Sequence, residues 1–188
     1  MVRSAVGWRP AAALLVAVGA ALARPAPAQG QDAGTIAPDF SVSLLADTAA
    51  APWQFWARAE TPVTVVSFWA SWCKPCDTLH PWLEALADRY HDRGVRVVAI
   101  NMREPADSIR RLRAGDSASA TVNLLDSDGH VVLLYAVTAV PTTLLVSANN
   151  VVLRRWEGVK ATMSGVEPVL ERMLSAAPAP PAGGGTGQ

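Results

Sequence analysis

Trp72-Cys73-Lys74-Pro75-Cys76 holds both cysteines of the 188-residue chain. Ahead of it runs Val63-Thr64-Val65-Val66-Ser67-Phe68-Trp69, a near-continuous apolar stretch with the character of a strand buried on both faces. Behind it, Leu79, Trp82, Leu83, Leu86 and Tyr90 recur at helical spacing within residues 78–90. The cysteine pair therefore falls where a strand gives way to a helix. A helix N-terminus offers free N–H groups and partial positive charge, and both favour a thiolate. The three-residue step lets one turn bring the sulfurs within bonding reach. A bridge closing so short a loop removes little unfolded-chain entropy. The pair reads as a redox dithiol rather than a structural staple.

Working outward, residues 37–45 alternate apolar and polar positions from Phe40, which predicts a short edge strand. Residues 52–57 are aromatic-rich and ambiguous; a short helical turn would pack Trp53 and Trp56 under the sheet. Downstream, Pro81 interrupts the N–H series of the helix and Gly94 closes it. A second buried strand is predicted over 95–101. A helix over 105–113 turns Ile109 and Leu112 inward, a polar loop spans 115–119, and a third strand covers 121–125. Asp126-Ser127-Asp128-Gly129 is a turn signal, and 131–135 reads as the start of a short helix. Residues 142–146 and 151–156 form a hairpin around Asn149-Asn150. A closing helix over 164–174 has Ser164 and Glu167 as a capping box and Pro168 in its first turn. Alternating strands and helices imply a parallel sheet covered by helices, with antiparallel strands added by the hairpin.

The ends differ in character. Arg3 and Arg9 precede an apolar run over 11–23, followed by Ala21-Leu22-Ala23 and Ala26-Pro27-Ala28. Residues 1–28 thus have the layout of a secretory signal, with cleavage after Ala23 or Ala28. An uncleaved membrane anchor is the alternative, against which the run is shorter than the roughly 20 residues a span needs. Residues 29–36 read as a flexible lead-in, 37–175 as one domain, and 176–188 as a disordered Ala/Pro/Gly tail. The chain is neutral overall. Without residues 1–28 it is acidic by three charges, so nothing builds the basic face that nucleic acid binding needs.

Phe68-Trp69-Ala70-Ser71-Trp72-Cys73-Lys74-Pro75-Cys76 resembles the active-site segment of the thioredoxin superfamily. Ala37-Pro38-Asp39-Phe40, Leu125-Asp126-Ser127-Asp128-Gly129, Tyr135-x-Val137 and Val140-Pro141-Thr142-Thr143 follow in the order of its TlpA/ResA-like exported branch. The resemblance spans about Ala37 to Leu174. It implies an α/β thioredoxin fold, a central mixed sheet flanked by helices with an N-terminal strand extension. It also implies dithiol–disulfide exchange without any cofactor beyond the cysteine pair, and no metal. The implied setting is the periplasm. The implied partners are disulfide-containing exported proteins such as apocytochrome c and a membrane thiol electron donor, met by a monomer. Pro141 would follow a cis peptide bond beside the dithiol, placing the Val140 backbone where a substrate could pair with it.

In that chemistry Cys73, nearer the helix start and more exposed, attacks a substrate disulfide, and Cys76 resolves the mixed disulfide. Pro75 stiffens the turn, Lys74 adds positive charge near Cys73, and Trp72 covers the site. Two positions depart from the family pattern. Ser67 stands where a buried acid is common, and Leu79 stands where a glutamate is common. Asp77 and His80 are the nearest titratable groups, and a solvated surface position is the plainer reading of His80. Other classes remain. Cys73, Cys76 and His80, with His130 as a further ligand, would suit Cu(I) in a metal-delivery protein. A dithiol oxidant and a redox-inactive binding module complete the set.

Overall fold

The computed structural model describes residues 32–56, 61–114 and 120–176. The expected signal segment 1–28, the 115–119 loop and the tail beyond 176 lie outside them. The described strands are β1 (Ser41–Leu44), β2 (Trp53–Gln54), β3 (Val63–Trp69), β4 (Val95–Met102), β5 (Val122–Asp126), β6 (Thr142–Ser147) and β7 (Val152–Glu157). They form one sheet in the order β2-β1-β5-β4-β3-β6-β7. The helices are α1 (Cys76–Tyr90), α2 (Ala106–Leu112), α3 (His130–Leu134) and α4 (Val159–Ala176). The three central strands β3, β4 and β5 are parallel, and the pairs β1–β5, β3–β6 and β6–β7 are antiparallel. This is the mixed α/β sheet the sequence predicts.

Every residue of β3 is buried, as the run of Val, Phe and Trp requires for a strand covered on both faces. Its side chains alternate between two cores. Val63 and Val65 pack with Leu79, Leu83, Leu86 and Tyr90 of α1 and with Val166 and Leu170 of α4. Val66 and Phe68 pack with Val131, Val132 and Tyr135 around α3, and with Phe40, Trp53 and Phe55. The aromatic N-terminal segment is thus part of the fold's second layer. Phe40 stacks on Phe55 at 4.8 Å and meets Tyr135 edge-on, and the Tyr135 hydroxyl donates to the Pro38 carbonyl at 2.8 Å.

Four expectations need correction. First, β1 is not an edge strand, because Trp53–Gln54 pairs outside it; the ambiguous aromatic stretch is a strand where a turn was one reading. Trp53 is buried, whereas Trp56 is exposed with its indole N–H on the Ala37 carbonyl. Second, Leu112 does not face inward; it is 58% exposed, and α2 is anchored by buried Ile109 with Ala106 packed beside it. Third, α4 begins at Val159, directly after Gly158 at φ 83°. Ser164 is therefore inside the helix, donating to the Lys160 carbonyl one turn back, and no capping box forms. Fourth, residues 32–36 of the expected flexible lead-in are held by the hairpin. Gly34 N–H donates to Val152 O at 2.7 Å, and Ile36 bridges Val151. The hairpin turn has Asn150 at φ 58°, a left-handed position asparagine tolerates.

Candidate active site

The β3–α1 junction places the dithiol. Cys73 N–H donates to Ala70 O at 3.1 Å, folding the chain back at the strand's end. Cys76 is the first residue of α1, so Cys73 lies one turn ahead of the helix, not inside its first turn. The two sulfurs are bonded to each other, with α-carbons 5.3 Å apart. Both are buried, Cys73 at 3% exposed and Cys76 at 1%. They share an apolar cluster with Leu45, Trp69, Ala70, Ala99, Ile109 and Leu125, against which Val140 packs. The bond between Val140 and Pro141 is cis, as the resemblance implies.

The field at the helix start differs in detail from the simple expectation. The N–H groups of Cys76, Asp77 and Thr78 donate to the carbonyls of Cys73, Lys74 and Pro75. They are not free to solvate a thiolate, and the helix dipole remains as the stabilising element. Lys74 is almost fully exposed and holds Asp77 at 2.8 Å, and that hydrogen bond raises the lysine pKa. Its charge is paired with a carboxylate rather than directed at Cys73. Trp72 is 68% exposed, so it is a surface contact and not a core residue.

On β3, Ser67 is fully buried with its hydroxyl 3.0 Å from that of Thr143, its register partner on β6. Leu79 is core. Neither position supplies a titratable group. His80, by contrast, is 8% exposed, which corrects the surface reading. Its ring meets Trp69 edge-on at 4.2 Å, and its Nε2 has no hydrogen-bond partner among the described residues. Burial, reinforced by the nearby Arg113 charge, holds the imidazole down at a pKa of about 4. His80 lines a cavity of about 240 Å³ with Trp69, Ser71, Asp77, Pro81, Glu84, Leu112 and Arg113. Arg113 also lies over the Trp69 ring and pairs with Glu84 at 2.8 Å.

One residue escaped the sequence reading. Glu104, in the loop after β4, takes the Ser71 N–H at 2.7 Å on Oε2 and the Ser71 hydroxyl on Oε1. Asn101 donates to the same Oε2 at 2.7 Å. The loop entering the dithiol is thus clamped from a neighbouring strand. Nothing in Met102-Arg103-Glu104-Pro105 signals this, because the contact is made across 33 residues.

The two sulfurs of the copper set are bonded to each other here. His130 lies instead beside Asp126 and Asp128. Asp126 accepts from the N–H groups of Val131 and Val132, and so holds the start of α3; burial raises its pKa against those hydrogen bonds. No helix of the described residues is long and apolar enough to cross a membrane.

Comparison with known proteins agrees with this geometry. The model of the AhpC/TSA family matches residues 33–155. The chain is 27% identical over 117 residues to a thiol-disulfide oxidoreductase ResA of Geobacillus thermodenitrificans, covering 62% of this chain and 64% of that protein. It is 31% identical over 124 residues to the thioredoxin-like protein YneN of Bacillus subtilis, covering 65% and 70%. Against three such ResA proteins, the chain spans between 48% and 64% of their length. A crystal structure from Chlorobium tepidum, assigned as a thiol:disulfide interchange protein DsbE, superposes with a TM-score of 0.64 at 27% identity. It covers 78% of this chain and 98% of its own.

Proposed function

Starting from the fact that this chain belongs to the AhpC/TSA family, we propose that it is a thiol–disulfide oxidoreductase whose working group is the Cys73–Cys76 pair. The observation that carries this reading is the bond between the two sulfurs at the mouth of α1. They are the chain's only cysteines, closing a ring too small to staple the fold. The ResA and DsbE names of its relatives support the same reaction class.

In the reducing direction, the Cys73 thiolate attacks one sulfur of a substrate disulfide, and the other substrate sulfur leaves as a thiolate. Cys76 then attacks Cys73, the mixed disulfide breaks, and the substrate departs reduced. The α1 dipole favours the attacking thiolate. Pro75 fixes the turn, Trp72 offers apolar contact to the partner, and the Val140 backbone before Pro141 offers it extended pairing. Lys74, held by Asp77, has a lesser electrostatic part. The substrates in this reading are disulfide-containing exported proteins such as apocytochrome c, met in the periplasm by a monomer. The reducing equivalents come from a membrane thiol donor. The resemblance to the TlpA/ResA-like branch and the signal-like residues 1–28 support that setting.

The equilibrium of purified protein with glutathione and glutathione disulfide, followed by tryptophan fluorescence, tests the reading. A potential near about −270 mV, the thioredoxin end, supports a reductant. A potential near about −120 mV reverses the direction to disulfide formation. Absence of any reversible couple removes the reading altogether.

A further inference from the structure

His80 is a buried titratable group to which the exchange chemistry gives no task. It shares the buried face of α1 with Cys76, one helical turn on, a spacing that sets β-carbons about 5–6 Å apart. Its ring packs on Trp69, and Trp69 packs in the same cluster as both cysteines. Nε2 is sealed from solvent and unpartnered among the described residues. Buried polar atoms are nearly always satisfied. An unsatisfied one a helical turn from a redox pair points to a partner that exists in only one redox state. A disulfide has no proton to donate, whereas a reduced Cys76 carries an S–H. The Ser67 hydroxyl is engaged with Thr143, whereas the Trp69 indole N–H, in the cysteines' own cluster, is likewise unpartnered among the described residues.

We propose that His80 Nε2 accepts a hydrogen bond from the Cys76 thiol once the disulfide is reduced, positioning Cys76 for the resolving step. This rests on the dithiol being the exchanging centre. In that step Cys73 is joined to the substrate sulfur. The Cys76 sulfur attacks Cys73 Sγ, the Cys73–Cys76 bond forms, and the bond to the substrate breaks. The electron pair leaves on the substrate thiolate. The Cys76 proton leaves as its sulfur attacks and ends on that thiolate. Around His80, Arg113 disfavours the imidazolium and Asp77 favours it, with Glu84 paired to Arg113. The imidazole therefore keeps its acceptor lone pair throughout the neutral range.

His80→Phe keeps a ring against Trp69 and removes the acceptor; His80→Gln returns an acceptor near Nε2. Both are compared with wild type for glutathione equilibrium across pH, and for thiol release from a Cys73 mixed disulfide. His80→Phe should shift the equilibrium toward the disulfide by about 3- to 10-fold, the worth of a net hydrogen bond. It should slow release by a similar factor through lost positioning of Cys76, without lowering the melting temperature of the oxidised form. His80→Gln should recover most of the equilibrium shift. In the wild type, reduction should move the His80 ¹⁵Nε2 resonance as a new hydrogen bond does. Unchanged equilibrium and release in His80→Phe, equal losses in both variants, or an unmoved resonance would overturn the proposal. A wild type that exchanges reversibly while His80→Phe behaves identically leaves the dithiol reading standing and removes only the role of His80.

Discussion

Glu104 grips Ser71 at two points, taking its N–H on one carboxylate oxygen and its hydroxyl on the other. The grip joins the loop after β4 to the loop that delivers the dithiol, and Asn101 braces it from the strand. Asn101 is buried with its own Oδ1 already unpartnered among the described residues. Glu104→Ala would strand the Asn101 amide as well. It should cost about 1.5–3 kcal/mol by chemical denaturation, the range for hydrogen bonds to a charged group. Glu104→Gln, which keeps a carbonyl acceptor, should cost less.

The two cysteines should separate cleanly by substitution. Cys73→Ser should abolish turnover of a disulfide substrate. Cys76→Ser should leave attack intact and resolution blocked, so that mixed disulfides with natural partners accumulate and can be recovered on non-reducing gels. Recovery of no covalent adduct from Cys76→Ser would count against these roles.

Acid stability should report the burial of His80. Its pKa falls from 6.5 to about 4 on folding. Between those values the unfolded chain binds a proton that the folded chain does not. Stability from this group is therefore complete above pH 6.5 and is lost as pH falls toward 4. The span corresponds to about 3 kcal/mol. His80→Phe should flatten the oxidised protein's stability profile over that window, measured by denaturant midpoint at a series of pH values.

Gly165 should resist substitution despite lying in a helix. A β-carbon there would sit 2.8 Å from Trp156 Cε2, inside the indole's contact shell. Gly165→Ala should therefore destabilise by about 1–3 kcal/mol through overpacking, outweighing the roughly 1 kcal/mol of helix propensity it gains. Combined with Trp156→Leu, the same change should become neutral or stabilising, a reversal that thermal melts would reveal.

Exposed Trp72 should matter to partners and not to folding. Trp72→Ala should change stability by less than about 0.5 kcal/mol, as surface substitutions do, while raising the KM for protein disulfides more than that for small ones.

The sequence was most legible where burial is uniform. β3 and β4 are continuous apolar runs, and the cysteines mark the strand–helix junction between them. The short α3 could be placed from the turn before it, whose Asp126 holds its first N–H groups. Legibility failed where an element is defined by a distant partner. Trp53–Gln54 is a strand only because β1 lies beside it. The start of α4 is set by the left-handed Gly158, whereas Ser164 and Glu167 merely imitate a capping signal. His80 looks like a surface residue on a helical wheel whose apolar positions are Leu79, Leu83 and Leu86. Its cover comes from Trp69, eleven residues earlier, and its neighbour Arg113 comes from beyond α2.

The near-complete enclosure of both sulfurs has a kinetic consequence. Exchange requires a thiolate to approach a sulfur in line, so its rate falls with access. Small thiols meeting the oxidised protein by chance find little sulfur to strike. A partner able to dock on Trp72 and open the site gains a rate the ambient pool lacks. In the proposed reading the couple would be insulated: its oxidation state would follow traffic with docking partners and drift only slowly toward the balance of its surroundings.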